Sequence, residues 1–563
     1  MNNINIFRIG LIAITLALAP FAYAAKAEKV DVIVGYDAKP DQAEKDRIKS
    51  LGGETKREFK NFNMRVISIS ENALKNVGNG KGVKFVAKDA ETFGMAYLFS
   101  QAAAPEKSAA HKTAGVPADG STNANYSGRY MGIAVIDSGL GQHVDLDQQA
   151  CQYDFLNGAA PGDDIEDEED AAECEDGSTR NDPLGHGTHV AGVLTGNGSG
   201  SNGEHKGLAT NSRLLSLRAL DGDGRGVASD TIAALDFVLS YGHYYNIKVV
   251  NLSIGKAVEE SSTTDPLVLA VEQVWDAGIV VVVAAGNYGR DGHMTITSPG
   301  NSRKVVTVGS LTDKETGDDF NDDFVSTYSS VGPTLGDHVL KPDLVAPGNK
   351  VTSTISAGAT LLNGLPTRIG KCGESYCSAE YLELSGTSMA TPMVAATAAL
   401  MLEKDPSLTP ATIKARLMRS ARKIDAEPTA VGAGVLDIDA ALNATGTVSG
   451  DALSPLMARS EEGPVILVED TATLWGDASW DAGYLWTDGY LWTDGYLWTD
   501  GYLWTDGYLW TDGYLWTDGY LWTDGYLWTD GYLWTDGYLW TDAVTNYNSL
   551  YETSTGSVDL QDD

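Results

Sequence analysis

Between residues 130 and 440, short and strongly apolar runs alternate with longer stretches of helical periodicity. Runs of this kind are typical of strands that are buried on both faces. The runs are 132–136, 214–217, 248–254, 279–285 and 305–308, and the helical stretches are 229–244, 265–277, 388–404 and 409–421. Strands that alternate with helices pair in parallel and need cover on both faces. The pattern therefore predicts a doubly wound, mainly parallel α/β sheet over residues 130–445.

A smaller unit precedes this sheet. Residues 25–95 contain alternating runs at 64–70 and around residue 32, with helical segments between them, which predicts a small α+β unit. Residues 26–95 hold 14 Lys and Arg against 11 Asp and Glu. Residues 96–129 are Ala-rich and polar, which favours a linker or an irregular N-terminal arm.

The N-terminus reads as a targeting segment. Arg8 precedes an apolar run at 9–19, and Ala22-Tyr23-Ala24 supplies small residues before a cleavage point. A membrane anchor is the alternative, but this run is too short to span a bilayer. We therefore expect residues 1–24 to be a signal peptide, with the mature protein secreted, extracellular or associated with the cell surface.

Charge excludes some partners. The chain has 77 Asp and Glu against 40 Lys and Arg, a formal charge of −37. Phosphate binding needs basic residues, so nucleic acid and anionic membranes are poor partners. Twenty of the acids lie in two base-free segments, 163–176 and 483–542.

An exported chain can form disulfides. The four cysteines allow three pairings, of which Cys151–Cys174 and Cys372–Cys377 join sequence neighbours. A zinc site is the alternative, but no CxxC spacing supports it. We expect the two neighbour pairings.

Three polar residues stand out on the α/β unit. Asp137 ends a buried strand, where sites of α/β proteins form. His186 begins an apolar helix that also contains His189, and Ser388 stands at another helix N-terminus, where the helix dipole favours negative charge. Each has an ordinary alternative: a turn, a metal ligand pair or a helix cap. Together they are far more specific.

These motifs closely resemble, in order, those of the subtilisin-like serine proteases, the subtilases. The matching segments are 136–139, 186–192 and 386–392 around the three residues, and 251–255, 284–287, 298–301 and 341–348 elsewhere. The resemblance implies that Ser388 is the nucleophile, His186 the general base and Asp137 its orienting carboxylate. Asn287 would donate to the oxyanion. His189 is then expected to be structural.

The resemblance also implies where substrate binds. The expected substrate-binding positions are Ser253, Ile254, Gly255, Gly224, Arg225, Gly226 and Thr297. No acid lies on the segments that would wall the primary pocket, which disfavours a strong preference for basic residues. An apolar or aromatic preference is expected, with Tyr288 at the rim.

By the same resemblance, residues 25–95 would be an inhibitory propeptide, cut between Gly94 and Ser108. Catalysis would need no cofactor. Calcium, common in the family as a structural ion, would have Asp145 as a ligand. The acidic run 163–176 could equally supply calcium ligands or form a solvated insertion.

The C-terminal part is repetitive. Residues 483–542 are ten perfect copies of Gly-Tyr-Leu-Trp-Thr-Asp, preceded by a linker with degenerate copies at 446–482 and followed by a tail at 543–563. Asp-Gly junctions favour hairpin turns, and a solenoid is the alternative. The repeats either bind a polymer, a cell surface or another copy of the chain, or they are a recent expansion without a role.

The sequence thus predicts a secreted, autoprocessed serine endopeptidase that acts on proteins or peptides and is inhibited by its own propeptide. The rival interpretation is a surface-binding or adhesive protein with an idle protease-like domain. The presence of Asp137, His186, Asn287 and Ser388 together argues against this rival. A processing protease with a single target is a third interpretation, which a cleavage profile on a peptide library would distinguish.

Overall fold

The computed structural model describes residues 29–95, 126–146, 150–158, 180–363 without 315, 317 and 318, and 381–459 without 425. It also describes the short pieces 110, 114, 371–372, 375–376, 465–467, 474–475, 509–511 and 520–522. The expected signal peptide and most of the repeats lie outside these ranges.

The centre of the fold is an eight-stranded, mainly parallel sheet, as the apolar runs predict. In spatial order its strands are β14 (Phe324–Val325), β13 (Val306–Thr312), β12 (Val280–Ala284), β10 (Ile247–Leu252), β6 (Gly132–Asp137), β8 (Arg213–Arg218) and β7 (Ala150–Asp154), with β15 (Leu344–Pro347) on β13. Only the pairing of β13 with β14 is antiparallel. The inner strands β6, β10 and β12 are almost wholly buried because helices cover both faces.

Two pairs of helices enclose this sheet. The helix at His186–Thr195 packs on Thr387–Lys404, and the helix at Ala228–Tyr241 packs on Pro266–Asp276. The helix Pro266–Asp276 starts at a capping residue: Asp265 accepts from Leu267 N and Val268 N, and a proline follows it. Further helices are Pro410–Arg419, Pro428–Val431 and Ile438–Asn443.

The predicted strand at 248–254 is interrupted. Its first part pairs within the central sheet, whereas Ile254–Gly255 (β11) joins a different, three-stranded sheet. Ser253 lies between the two parts, and its hydroxyl donates to the carbonyl of Ser388 at 3.0 Å. The break therefore carries the chain from the core to the edge where Ser388 lies.

The N-terminal unit is a four-stranded antiparallel sheet with helices at Gln42–Ser50 and Leu74–Gly78. Its strand order is β2 (Glu54–Glu58), β3 (Met64–Ser70), β1 (Lys29–Tyr36) and β4 (Val83–Lys88). Residues alternate between two faces. One face, with Val32, Val34, Ile67 and Ile69, builds the unit's own core, whereas Ile33, Phe59, Phe62, Met64 and Val66 join the core cluster of the large domain.

The last strand of this unit lies on the large domain. Strand β5 (Glu91–Gly94) is sandwiched between β11 and β9 (Arg225–Val227), and it pairs antiparallel with both. Neither β5 nor β9 was predicted as a strand from its own residues, because short strands of mixed polarity lack an apolar pattern.

Segments expected as linkers are bonded to the large domain. The backbone N–H groups of Ser127 and Gly128 donate to Glu403. In the segment expected to link to the repeats, Val448 N donates to Thr412 Oγ1, and Leu340 N donates to Pro455 O. These residues are part of the folded body because their backbone groups are satisfied there.

Cys151 is disulfide-bonded. Its expected partner, Cys174, lies outside the described residues, as do Cys377 and the side chain of Cys372, so both pairings remain predictions.

In the repeats, Leu509–Thr511 pairs antiparallel with Tyr520–Trp522. Eight residues separate these strands, so a two-residue Asp-Gly turn does not connect them.

None of the helices described here has the length and apolar character that crossing a membrane requires.

Candidate active site

Asp137 and His186 are in direct contact at the carboxyl edge of the sheet. Asp137 is the last residue of β6, and His186 is the first of its helix, so a strand end and a helix start fix their positions. His186 Nδ1 lies 2.7 Å from Asp137 Oδ1. Because an ionised carboxylate only accepts, Nδ1 carries the proton and Nε2 is left as the basic nitrogen.

Burial opposes the charging of His186, but attraction to Asp137 and the hydrogen bond between them outweigh it. The pKa of His186 is therefore raised above its ordinary value. Asp137 and His186 are both at least 98 % buried, with 1 % and 2 % exposure. This low-dielectric setting strengthens the coupling between the two side chains.

Sequence reasoning missed Asp182, whose carboxylate accepts hydrogen bonds from residues next to Asp137 and His186. Its Oδ1 accepts from Ser138 Oγ and Gly185 N, both at 2.8 Å, and its Oδ2 accepts from Thr188 N at 2.8 Å and Thr188 Oγ1 at 2.6 Å. Asp182 thus ties the residue after Asp137 to the helix that carries His186. Its position four residues before His186, at a helix start, was the available sequence signal.

Ser388 lies in the first turn of the helix Thr387–Lys404. Its Oγ donates to the carbonyl of Ser253 at 3.0 Å. Within the described part of the chain, His186 Nε2 has no hydrogen-bond partner. Rotation of the Ser388 hydroxyl away from Ser253 is therefore required before it can donate its proton to His186.

Asn287 is oriented by the residue next to Ser388. Asn287 Oδ1 accepts from Thr387 N at 3.0 Å and from Thr387 Oγ1 at 3.1 Å. A backbone N–H is always a donor, so this contact identifies the oxygen of the Asn287 amide. The amide nitrogen is consequently the donor end of the Asn287 side chain.

The C-terminal end of β5 runs through this site. Gly94 N donates to Gly224 O at 3.2 Å, Met95 N donates to Ser253 O at 3.1 Å, and Ser388 N donates to Met95 O at 3.1 Å. The expected substrate-binding segments 224–226 and 253–255 therefore lie on the two sides of this strand. Arg225 also forms an ion pair with Glu91 across the pairing.

The Met95 side chain is 2 % exposed and fills the space beside Gly255 and Thr297. A Cβ on Gly255 would approach Met95 Cε to 2.7 Å and Thr297 Oγ1 to 2.7 Å. Glycine at 255 is thus needed to leave room for an apolar side chain. Thr297, which was expected at the primary pocket, lies beside the same glycine.

The residues before Met95 have their own environments. Gly94 lies over the His186 ring, since a Cβ there would sit 3.4 Å from His186 Nδ1. Thr92 is completely buried beside Gly226. Phe93 meets Tyr288 edge-on with ring centroids 6.2 Å apart, which puts Tyr288 at the rim as expected.

His189 has a structural role, as expected. Its Nε2 lies 3.1 Å from Val351 O and 2.9 Å from Leu382 O, which joins its helix to the strands Val351–Thr354 and Tyr381–Leu384. Burial lowers the pKa of His189 to about 3, so the ring stays neutral.

The surroundings of Asp145 do not fit a calcium ion. Its Oδ1 accepts from Gly200 N at 2.6 Å and its Oδ2 from Tyr381 O–H at 2.7 Å. The rings of His143 and His205 pack on Tyr381. Calcium needs six to eight oxygen ligands, whereas these are hydrogen-bond donors and aromatic rings.

The described residues include no cluster of three or more His, Cys, Asp or Glu side chains suited to a metal. The acidic run 163–176 lies outside them.

A parallel sheet that brings an aspartate, a histidine and a helix-borne serine to one edge defines an α/β serine hydrolase. The sequence model of the Subtilase family (Peptidase_S8) matches residues 128–434, more than half of the chain. The chain therefore belongs to the subtilase family and is a subtilisin-like serine endopeptidase.

Individual relatives agree with this assignment. The chain is 36 % identical to the serine protease AprX of Bacillus subtilis (strain 168), over 58 % of this chain and 67 % of AprX. It is 28 % identical to subtilisin NAT of Bacillus subtilis subsp. natto, over 73 % of this chain and 89 % of that protein. Fervidolysin from Fervidobacterium pennivorans shares the fold, with a TM-score of 0.59 at 20 % identity. That match covers 79 % of this chain and 65 % of fervidolysin.

Proposed function

We propose that this protein is a secreted endopeptidase made as a precursor that cuts its own chain between Met95 and Ala96. The observation that carries this proposal is the hydrogen bond from Ser388 N to the carbonyl oxygen of Met95. A carbonyl held by the N–H of a candidate nucleophile, with its strand paired on both sides, is placed as a substrate carbonyl would be.

The residues at the site can perform the reaction without a cofactor. Ser388 Oγ attacks the Met95 carbonyl carbon while His186 Nε2 takes its proton, and Asp137 stabilises the resulting imidazolium. The negative oxygen of the tetrahedral intermediate accepts from Ser388 N and from the Asn287 amide. As the Met95–Ala96 bond breaks, His186 gives the proton to the leaving nitrogen of Ala96. Water then hydrolyses the Met95 ester in the reverse sequence of proton transfers.

The contact between the N-terminal unit and the large domain supports an inhibitory role for residues 25–95. Arg57 Nη1 lies 3.0 Å from Asp230 Oδ1 and donates to Ser229 O at 2.7 Å, with both ionic side chains under 9 % exposed. Asp236 accepts from the backbone N–H of Asn61. A buried, hydrogen-bonded ion pair of this kind provides specificity in docking.

The same contact continues at the helix Ala228–Tyr241. Asp89 accepts from Ser229 N at 2.9 Å and Ser229 Oγ at 2.7 Å, at the N-terminus of this helix. An acceptor at this position satisfies an N–H group that the first turn of the helix leaves unpaired. Together with β5, these contacts keep the cleft filled, so the precursor would be inactive toward other substrates until the unit leaves.

Secretion is part of the proposal. It is supported by the pattern of residues 1–24. A further relative, 33 % identical over 43 % of this chain, is named an extracellular serine proteinase from Thermus sp. (strain Rt41A).

One experiment tests the precursor, the nucleophile and export together. Wild-type protein and a Ser388→Ala variant are produced in a secreting host, and the N-termini of the secreted forms are sequenced. We expect the wild type to begin at Ala96 and the variant to begin at Ala25. A serine-directed fluorophosphonate should label the mature wild type at Ser388. A variant that also begins at Ala96 would contradict self-cleavage.

A further inference from the structure

The sequence around Trp475 matches the repeat unit. Leu474-Trp475-Gly476-Asp477 differs from Leu-Trp-Thr-Asp, which occurs in each of the ten perfect copies, only at its third position. Trp475 itself is fully buried, with 0 % exposure. The tryptophan of this degenerate copy is therefore buried in the folded body.

Two hydrogen bonds of Trp475 use its indole N–H and its main-chain carbonyl. Trp475 Nε1 donates to Leu453 O at 3.0 Å, and Gly450 N donates to Trp475 O at 3.3 Å. A Cβ on Gly450 would lie 2.9 Å from Leu474 O, so glycine permits the close approach of the two chains. We call residues 450–454, on which Trp475 lies, the Trp475 seat.

The seat is fixed to the catalytic body. Ser454 Oγ donates to Asp343 Oδ1 at 2.6 Å, and Lys414 Nζ donates to Ser454 Oγ at 2.8 Å. Ser454 N donates to Arg303 O at 2.9 Å, and the Arg303 side chain donates through Nε to Ser454 O at 2.8 Å. Asp343 and Lys414 are completely buried, so the seat rests on the core.

We propose that the Trp475 seat is a binding site for the Leu-Trp units of the repeat segment 483–542. The contacts to Gly450 and Leu453 use a main-chain carbonyl and an indole N–H, which every repeat supplies. Trp475 and the repeat tryptophans are therefore interchangeable ligands of one site. Because ten copies are tethered to the same chain, their effective concentration at the seat is high. This makes the tail a ligand of its own catalytic body, independent of the protease chemistry.

The test is a double-mutant cycle on full-length protein in a Ser388→Ala background, which prevents self-cleavage. Four proteins combine Trp475 or Trp475→Ala with repeats that are intact or have their ten tryptophans replaced by alanine. Thermal unfolding is measured for each. Loss of a buried tryptophan should lower the melting temperature by about 5 °C or more when no repeat tryptophan can replace it. With intact repeats, Trp475→Ala should lower it by less than about 2 °C.

Equal losses in the two backgrounds would overturn the proposal, as would a Trp475→Ala protein that fails to fold although its repeats are intact. A peptide of two repeats gives a second readout. It should raise the melting temperature of the Trp475→Ala protein that lacks repeat tryptophans, whereas a peptide with alanine in place of each tryptophan should not. No shift with the tryptophan peptide would also overturn the proposal.

Discussion

The backbone N–H of Ser388 lies 3.1 Å from the carbonyl oxygen of Met95, a residue of the same chain that is 293 positions earlier in the sequence. The contact joins the first turn of the helix Thr387–Lys404 to the C-terminal end of the N-terminal unit. Among the residues that the structure describes, it places the carbonyl group of Met95 within hydrogen-bond distance of the backbone of the candidate nucleophile.

The side chain at position 95 should therefore control the rate of self-processing. Met95 is buried against Gly255 and Thr297, and the neighbouring cation, Lys256, is already paired with Asp265. Met95→Asp would place an unpaired carboxylate there and should slow conversion of the precursor by about 100-fold or more. Met95→Leu, the matched control, should be processed at nearly the wild-type rate. Gel time courses measure both, and equal rates for the two variants would refute the placement of Met95 in the primary pocket.

Asn287 should act on the transition state rather than on substrate binding. Asn287→Ala removes one oxyanion donor and should lower kcat on a short peptide by about 10²–10³-fold with little change in KM. Asn287→Asp keeps the oxygen that accepts from Thr387 but loses the amide donor, so it should lose a similar factor. Steady-state kinetics of the mature enzymes decide this. Full activity of Asn287→Asp would show that the amide nitrogen is not a catalytic donor.

The strands and helices of the catalytic domain were largely predictable because buried parallel strands are apolar along their whole length. The antiparallel strand Val351–Thr354 was not predictable, since it contains two threonines and a serine and belongs to a small sheet. The motifs identified Asp137, His186, Asn287 and Ser388, because local sequence defines a strand end or a helix start. That the segment ending at Met95 lies in the cleft was expected from the family resemblance alone, because this position depends on docking between two units and no local pattern encodes it. Trp475 was assigned to a linker for the same reason.

Asp182 is expected to be a positioning residue. It holds Ser138, Gly185 and Thr188 together, and its charge also contributes to the raised pKa of His186. In Asp182→Asn, one of the two acceptor oxygens becomes an NH2 group that cannot accept, so either the bonds from Ser138 and Gly185 or the two bonds from Thr188 are lost. His186 should then be less well placed. We expect kcat to fall by about 10- to 100-fold. The pH midpoint of kcat/KM should also move to lower pH, which a loss of folded protein alone would not cause. An unchanged midpoint would contradict the electrostatic part of this role.

The activity should have an acid limb governed by His186. Only the neutral ring can take the Ser388 proton, and attraction to Asp137 raises the pKa of His186 against the effect of burial. The kcat/KM of the mature enzyme should therefore fall as the pH drops through a midpoint above about 6.5, the ordinary histidine value. The stability that the His186–Asp137 ion pair contributes has the opposite dependence. It is fully present below the ordinary histidine pKa of about 6.5 and is lost as the pH rises through the raised pKa of His186.

Asp137→Asn provides the control for this pH dependence. It removes the negative charge that favours the protonated ring, so the midpoint should shift to lower pH while kcat falls by about 10⁴-fold. A pH profile of kcat/KM on a short chromogenic peptide measures both effects. A midpoint that stays in place in Asp137→Asn would assign the acid limb to another group.

Docking of the N-terminal unit should depend on pH through Asp89. Burial raises the pKa of Asp89 to about 6, against the hydrogen bonds from Ser229, and nearby Asp230 and Asp31 add to the rise. A carboxyl group whose pKa is raised on docking takes up a proton, so docking is favoured at low pH. Affinity should fall by about 10- to 100-fold as the pH rises from about 4 to about 6, and change little above that range.

Inhibition of mature enzyme by added N-terminal unit, residues 25–95, measures this affinity across the pH range. Asp89→Asn should flatten the dependence, because the amide cannot titrate. Asp37→Asn is the matched control, since the Asp37 side chain is 67 % exposed and lies away from Ser229. Its profile should match that of the wild type. If Asp89→Asn retains the full pH dependence, other groups at the contact, such as the Arg57–Asp230 pair, must be responsible for it.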